Sequence, residues 1–155
     1  MSGCKIVATP LDNCQTMKKE DGSPPANSST FRSLIGSLLY LTTTRPDIMY
    51  ATSLLSRFMQ NPTQVHYGAA KRILRYLQET KDYVIWYRPT SNSQLLGLTD
   101  SDWSGSADDM RSTSGYAFTL GSGIFSWASK KPVKVAQSSA KAEYIAAAYA
   151  TSQAL

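Results

Sequence analysis

The chain has 155 residues, of which 42% are hydrophobic and 17% charged, and 16 Lys and Arg against 11 Asp and Glu give a formal net charge of +5. This composition suits one ordinary folded domain or two small ones, and it excludes a chain that is disordered throughout. No stretch approaches the roughly 20 apolar residues that a membrane-spanning helix needs, and the start lacks the apolar region of a signal peptide. We therefore expect an intracellular protein, cytoplasmic or nuclear, that does not enter a membrane.

The charge is divided unevenly along the chain. Residues 1–90 carry 11 basic against 6 acidic side chains, whereas residues 91–155 carry 5 of each. Four of the acids in the second part fall within ten residues, namely Asp100, Asp102, Asp108 and Asp109. A basic half joined to a carboxylate cluster suits a metal-dependent enzyme that acts on a polyanion, and a chance asymmetry on a solvated surface explains it equally well.

The first 29 residues are predicted to be a flexible leader, because they are rich in polar residues and proline and show no sustained apolar period. Within this leader, residues 5–10 are compatible with a short strand. Cys4 and Cys14 have no Cys or His near them at metal-ligand spacing. They would be able to pair on oxidation, but two leader cysteines do not indicate a disulfide framework.

Residues 30–90 are predicted to form a compact helical unit. Apolar residues recur at helical spacing over residues 30–43, with Ser29 or Thr30 as the N-cap. A second helix is expected to begin around Pro46, since proline is tolerated in a first turn, and to end at residues 61–62.

The third helix of this unit is expected to start near Thr63. Its polar side carries Lys71, Arg72 and Arg75, which are candidates for contacts with phosphates, although helical cations are more often a solvated face.

Residues 91–155 change to a strand pattern. After a β-prone run at residues 83–87, three strands are predicted, with a hairpin turn at residues 121–123. A helix that Ser138 or Ser139 can cap is then expected to run to the end of the chain. The predicted strands cover residues 94–102, 114–120 and 124–129.

Three acids are candidates for metal chemistry. Asp100 ends an apolar strand, and Asp102 follows on the same face by the strand period, which suits a hard cation such as Mg²⁺. Glu143 lies among small residues near the start of the last helix. The alternatives are a turn-forming aspartate and a solvent-facing glutamate near a helix N-terminus, where negative charge is favoured anyway.

Five short motifs follow one another around these acids. They are Thr99-Asp100-Ser101-Asp102-Trp103-Ser104-Gly105, Arg111-Ser112-Thr113-Ser114-Gly115-Tyr116, Ser126-Trp127-Ala128-Ser129-Lys130-Lys131, Ala136-Gln137-Ser138-Ser139 and Ala142-Glu143-Tyr144. In this order they closely resemble the ribonuclease H domain of Ty1/copia-type retrotransposon Pol polyproteins, as found in plants.

The upstream half resembles the part of the same polyprotein that precedes this domain, the thumb and connection end of the reverse transcriptase. The motifs that carry this resemblance are Leu34-Ile35-Gly36-Ser37-Leu38-Leu39-Tyr40-Leu41, Thr44-Arg45-Pro46-Asp47-Ile48, Ser56-Arg57-Phe58-Met59 and Arg72-Ile73-Leu74-Arg75-Tyr76-Leu77. The resemblance covers the chain from about Lys5 onward.

The resemblance implies an α/β (α+β) fold, in which a helical connection unit precedes an incomplete ribonuclease H-like mixed sheet with a packed helix. It also implies two-metal hydrolysis, with Mg²⁺ or Mn²⁺, of the RNA strand in an RNA–DNA hybrid. Asp100 and Glu143 match two of the family's catalytic acids, and Asp102 is a weaker candidate that acts through its neighbours. Lys130 and Lys131 join the helical cations as candidates for phosphate contacts.

The chain also departs from the family pattern. It ends before the positions of the third and fourth metal-site residues, and its only histidine, His66, belongs to the helical half. Lys141 places a cation close to the expected metal site. We therefore expect the nuclease chemistry to be incomplete, and the alternative is a non-catalytic module that binds nucleic acid, another protein or a second copy through an open sheet edge.

Overall fold

The computed structural model describes residues 5–12, 16–91, 94–133 and 135–155. It divides into two compact units, Met1–Tyr83 and Val84–Leu155. Cys4 and Cys14 lie outside the described residues, so the interpretation of the two cysteines stays a prediction.

The first unit contains helices α1 (Ser28–Leu41), α2 (Met49–Ser56) and α3 (Gln64–Glu79), with a 3₁₀ turn at Pro46–Ile48 before α2. The predicted helices are present, but their ends differ. Helix α1 is capped by Asn27 rather than by Ser29 or Thr30, because the Asn27 side chain accepts a hydrogen bond from the backbone N–H of Thr30 at 2.9 Å.

Helix α2 ends at Ser56, well before residues 61–62. The next three backbone N–H groups bond to carbonyls three residues back, and such a tight turn breaks the helical ladder. The turn carries Phe58 inward, where its ring stacks on His66 with centroids 4.0 Å apart.

The core of this unit is built from apolar faces of all three helices. Its fully buried members include Phe31, Ile35, Ile48, Leu55 and Ile73. Met17, from the segment predicted as a leader, is also buried in it. The predicted strand at residues 5–10 is wrong: Val7 instead packs against the helical core, and no described strand lies beside it.

The second unit contains strands β1 (Leu95–Asp102), β2 (Thr113–Leu120) and β3 (Gly123–Lys130), followed by helix α4 (Ser139–Ala154). The described strands form an antiparallel sheet in the order β1-β2-β3, and α4 packs against β1 and β2. The predicted α+β class, the hairpin and the final helix are confirmed. Among the described helices of the chain, none is long and apolar enough to span a bilayer.

The β-prone run at residues 83–87 does not form a strand. Instead, the Tyr87 hydroxyl donates to the carbonyl of Ile124 at 2.8 Å, and the backbone N–H of Arg88 donates to Ser122 Oγ at 2.7 Å. These bonds hold the segment beside the β2–β3 turn without giving it a place in the sheet.

The sheet register determines which residues face α4. Thr99 of β1 lies opposite Tyr116 of β2, and the Tyr116 ring packs edge-on against Tyr149 of α4, with centroids 5.5 Å apart. Residues directly opposite each other share a face, and successive residues alternate. The face of Thr99 is therefore the one that α4 covers, and Asp100 belongs to the other face together with the exposed Leu98.

Candidate metal and nucleic-acid site

Asp100 lies two residues before the end of β1 and is exposed. It pairs across the ladder with Gly115, which has no side chain to cover it. The next residues of β1 on the same face as Asp100 are Leu98, which is 56% exposed, and Asp102. The carboxylate of Asp100 is thus accessible from the uncovered face of the sheet.

Asp102 is half-buried and is engaged within the protein. One carboxylate oxygen accepts the backbone N–H of Thr113, and the other fills the space that a Cβ on Gly105 would need. Asp102 therefore anchors the connection between β1 and β2.

Glu143 is exposed and lies one residue after Ala142, which is buried beneath the sheet. Helix α4 is capped at its start by Ser138, whose hydroxyl accepts the backbone N–H of Lys141 at 3.2 Å. The chain reaches this helix beside the end of β1, because the indole N–H of Trp103 donates to the carbonyl of Ala136 at 3.1 Å. Glu143 is thus carried on the element that packs next to β1.

Asp100 and Glu143 occupy opposite sides of β1, which is an edge strand of the described sheet. A shared ion would therefore have to lie around the free edge of β1. Two exposed carboxylates provide the oxygen ligands that Mg²⁺ prefers, with the remaining positions left to water. No group of three or more His, Cys, Asp or Glu suited to a metal occurs within the described parts of the chain. Two carboxylates alone offer too few ligands for a pair of ions.

The two candidate lysines of the second unit differ in their surroundings. Lys131 Nζ lies 2.6 Å from a carboxylate oxygen of Asp109, whereas Lys130 Nζ lies 5.4 Å from the ring centre of Tyr149. Burial alone would raise the pKa of Asp109, but hydrogen bonds from Lys131 and Ser106 outweigh it and lower that pKa from 3.8 to about 2. Lys131 is therefore engaged in an ion pair within the protein, and Lys130 is the more accessible of the two lysines to a phosphate.

The basic candidates of the first unit lie on α3. Lys71 is exposed, with its ammonium 4.5 Å from the ring centre of Tyr67. Arg72 donates to the carbonyl and the hydroxyl of Thr9, at 3.1 and 3.0 Å, and Arg75 is half-buried. Of the three, Lys71 is the side chain best placed to meet a phosphate.

A network that the sequence analysis did not predict surrounds Asp47. Its carboxylate is bound by Arg45 through two hydrogen bonds of 2.9 and 2.7 Å, and it accepts the Tyr76 hydroxyl at 2.8 Å. Arg45 also donates to the carbonyl and the hydroxyl of Thr80 at the end of α3. The motif that carried part of the family resemblance is therefore a structural tie between the α1–α2 connection and α3.

His66 also has a structural role. It is fully buried, Nδ1 accepts the backbone N–H of Thr63 at 3.0 Å, and Nε2 donates to the carbonyl of Lys18 at 3.0 Å. This arrangement requires the neutral tautomer with its proton on Nε2.

Comparison with known proteins finds no matching family model and no matching solved structure. Relatives by sequence do exist. The chain is 40% identical over 153 residues to the retrovirus-related Pol polyprotein from transposon RE2 of Arabidopsis thaliana, and 40% identical over 156 residues to that from transposon TNT 1-94 of Nicotiana tabacum. These matches cover 99% and 95% of this chain. Over nearly its whole length the chain is thus homologous to one segment of the retrovirus-related Pol polyproteins of copia-type transposons.

The chain spans only 10% of the RE2 polyprotein and 12% of the TNT 1-94 polyprotein. A third relative differs in this respect. The secreted RxLR effector protein 161 of Plasmopara viticola is 43% identical over 126 residues, which make up 81% of this chain and 89% of that protein. The region described here is thus a small part of the Pol relatives and nearly the whole of a separately named protein.

Proposed function

We propose that this chain is a ribonuclease H-type module of a copia-type Pol protein, which binds an RNA–DNA hybrid and holds Mg²⁺ or Mn²⁺ between Asp100 and Glu143. The observation that carries the proposal is the exposure of both carboxylates on elements packed against each other, β1 and α4, in a chain of this family. The same end of β1 carries the anchored loop that leads to β2.

A bound divalent ion would polarise a phosphate of the RNA strand and make an attached water more acidic. Asp100 and Glu143 would hold it, and its positive charge would offset the negative charges of the two carboxylates. Asp102 fixes the backbone at Thr113 and thereby holds the base of the β1–β2 connection. Lys130, at the end of β3 on the α4 side of the sheet, provides a positive charge for a phosphate on the side of Glu143.

Hybrid binding and hybrid cleavage are separable in this proposal. Two carboxylates suit one ion, whereas two-metal hydrolysis needs further ligands to clamp both the attacking and the leaving oxygen. Removing one ligand from such a site costs several kcal/mol of transition-state stabilisation. We therefore infer that the isolated chain binds hybrid in a metal-dependent way and cleaves it slowly or below detection.

A second candidate is a binding module without metal chemistry. Two observations favour it: the sheet face opposite α4 leaves Leu96 and Leu98 more than half exposed, and a relative exists that consists almost entirely of this region. Such a module would bind its partner equally well with and without a divalent ion.

Fluorescence anisotropy of a labelled RNA–DNA hybrid, measured in excess Mg²⁺ and again in excess EDTA, separates the two candidates. The proposal predicts tighter binding in Mg²⁺ by about tenfold, and D100N and E143Q each remove that gain. E79Q, a substitution of an exposed glutamate on α3, is the matched control and should keep it. An affinity that is unchanged by EDTA would contradict the proposal and favour the second candidate.

A further inference from the structure

The connection between β1 and β2, residues 103–112, is fastened at three points. Asp102 binds the backbone N–H of Thr113 at its base, and Asp109 pairs with Lys131 at the end of β3. Trp103 donates its indole N–H to the carbonyl of Ala136 in the approach to α4. The loop is therefore tied to the start of β2, to the residue that follows β3 and to the segment that precedes α4.

Trp103 remains 52% exposed despite its anchor. The next residue, Ser104, has a positive φ of 57°, which a residue other than glycine adopts only at an energetic cost. Tryptophan has much apolar surface to lose from water when it is covered, so a half-exposed, oriented ring is available for a contact. The loop thus presents a fixed aromatic surface three residues after Asp100.

We propose that Trp103 is a substrate-contacting residue of the site described above, and that its ring packs on a sugar or base of the RNA–DNA hybrid whose phosphate lies at Asp100. This inference rests on the proposed function. Since the indole N–H is already donated to Ala136, the ring contributes through its face and edge rather than through a new hydrogen bond.

The unit offers a matched control. Trp86 is 71% exposed and lies beside the β2–β3 turn, near Gly123, at the opposite end of the strands from the β1–β2 loop. A general preference of exposed tryptophan for nucleic acid would give both residues the same effect. If Trp103 contacts the hybrid as part of the site, only substitution of Trp103, and not of Trp86, should weaken binding.

The test is the affinity of a labelled RNA–DNA hybrid for the full chain in Mg²⁺, compared among wild type, W103A, W103F and W86A. We expect W103A to weaken binding about tenfold, from the apolar area that the ring would bury, whereas W103F restores most of the affinity and W86A leaves it unchanged. Circular dichroism melts accompany each variant. W103F cannot donate to Ala136, so it separates contact from anchoring.

Three outcomes would overturn the inference. Equal affinities of W103A and wild type would show that the ring makes no contact with the hybrid. An equal loss in W103F and W103A, with lowered melting temperatures, would assign Trp103 a purely structural role. Failure of the wild-type chain to bind hybrid at all would remove the proposed function itself, and with it the substrate of this contact.

Discussion

Lys131 and Asp109 form an ion pair of 2.6 Å that joins the end of β3 to the β1–β2 loop. The pair holds a stretch of chain in which Met110 adopts a positive φ of 54°. Lys131, predicted from the sequence as a phosphate contact, is therefore already neutralised by a neighbour. The stability of the loop depends on the charge of Asp109.

The first prediction follows from the lowered pKa of Asp109. A carboxylate whose pKa is about 2 in the folded state and 3.8 otherwise stabilises the fold above pH 3.8 and loses that contribution as the pH falls toward 2. D109N should remove this part of the pH dependence and cost about 1 kcal/mol or less at pH 7, because the pair is partly exposed. Thermal melts between about pH 2 and 7, a range that includes both pKa values, check this prediction. Identical pH profiles of the melting temperature for D109N and wild type would contradict it.

A second prediction concerns the network around Asp47. Arg45 and Tyr76 bind the same carboxylate, and the hydrogen bonds from Arg45 hold the pKa of Asp47 below its usual value against the opposing effect of burial. Y76F should cost about 1 kcal/mol, and R45A about 1–2 kcal/mol, since it removes the cation from a partly exposed carboxylate and the donor from Thr80.

Chemical denaturation of the two single variants and the double variant measures these free energies. Because the two side chains share one acceptor, the effects should differ from additivity by more than 0.5 kcal/mol, roughly the threshold for coupled sites. Strict additivity would indicate that the network does not act as a unit.

His66 provides a third prediction. H66A removes a buried ring that stacks on Phe58 and bonds to the backbone of Thr63 and of Lys18. The cavity and the unpaired backbone groups should together cost about 3–4 kcal/mol. Amide hydrogen exchange of residues 16–27 should accelerate at the same time, because the bond to Lys18 fastens this segment. Unchanged exchange there would contradict the proposed role of His66.

Two glycines allow a fourth, paired prediction. A Cβ on Gly97 would stand 2.7 Å from the Phe118 ring, whereas a Cβ on Gly36 would meet nothing within 4 Å. G97A should destabilise the second unit by about 1–3 kcal/mol, because the buried Phe118 has little room to move. G36A lies within α1 and should stabilise the first unit by up to about 1 kcal/mol. Equal effects of the two substitutions on the melting temperature would contradict this account.

Local patterns accounted for much of the fold. Apolar spacing located the helices, and the residues around Gly121 located the hairpin, because both signals lie within a few neighbouring positions. The β-prone run at residues 83–87 is held beside the β2–β3 turn by bonds from Tyr87 to Ile124 and from Arg88 to Ser122, which no local pattern predicts. The burial of Met17 and the bond from His66 to Lys18 were not predicted, since they join residues far apart in sequence.

The candidate site likewise combines features that the local sequence pattern predicts with features that depend on tertiary packing. The strand period alone places Asp100 with Leu98, but the side on which α4 packs depends on the contact between Tyr116 and Tyr149. That contact puts Glu143 across β1 from Asp100. The engagement of Asp102 with Thr113 likewise depends on how the loop closes, and no local motif predicts it.

In the proposed function, Asp100 and Glu143 together hold one divalent ion around the free edge of β1. Mn²⁺ binding followed by electron paramagnetic resonance tests it most directly, in wild type, D100N, E143Q and the double variant. We expect one weak Mn²⁺ site that either single substitution removes. The double variant should therefore bind no less Mn²⁺ than the single variants do. A site that survives both substitutions, or two independent losses that add, would contradict it.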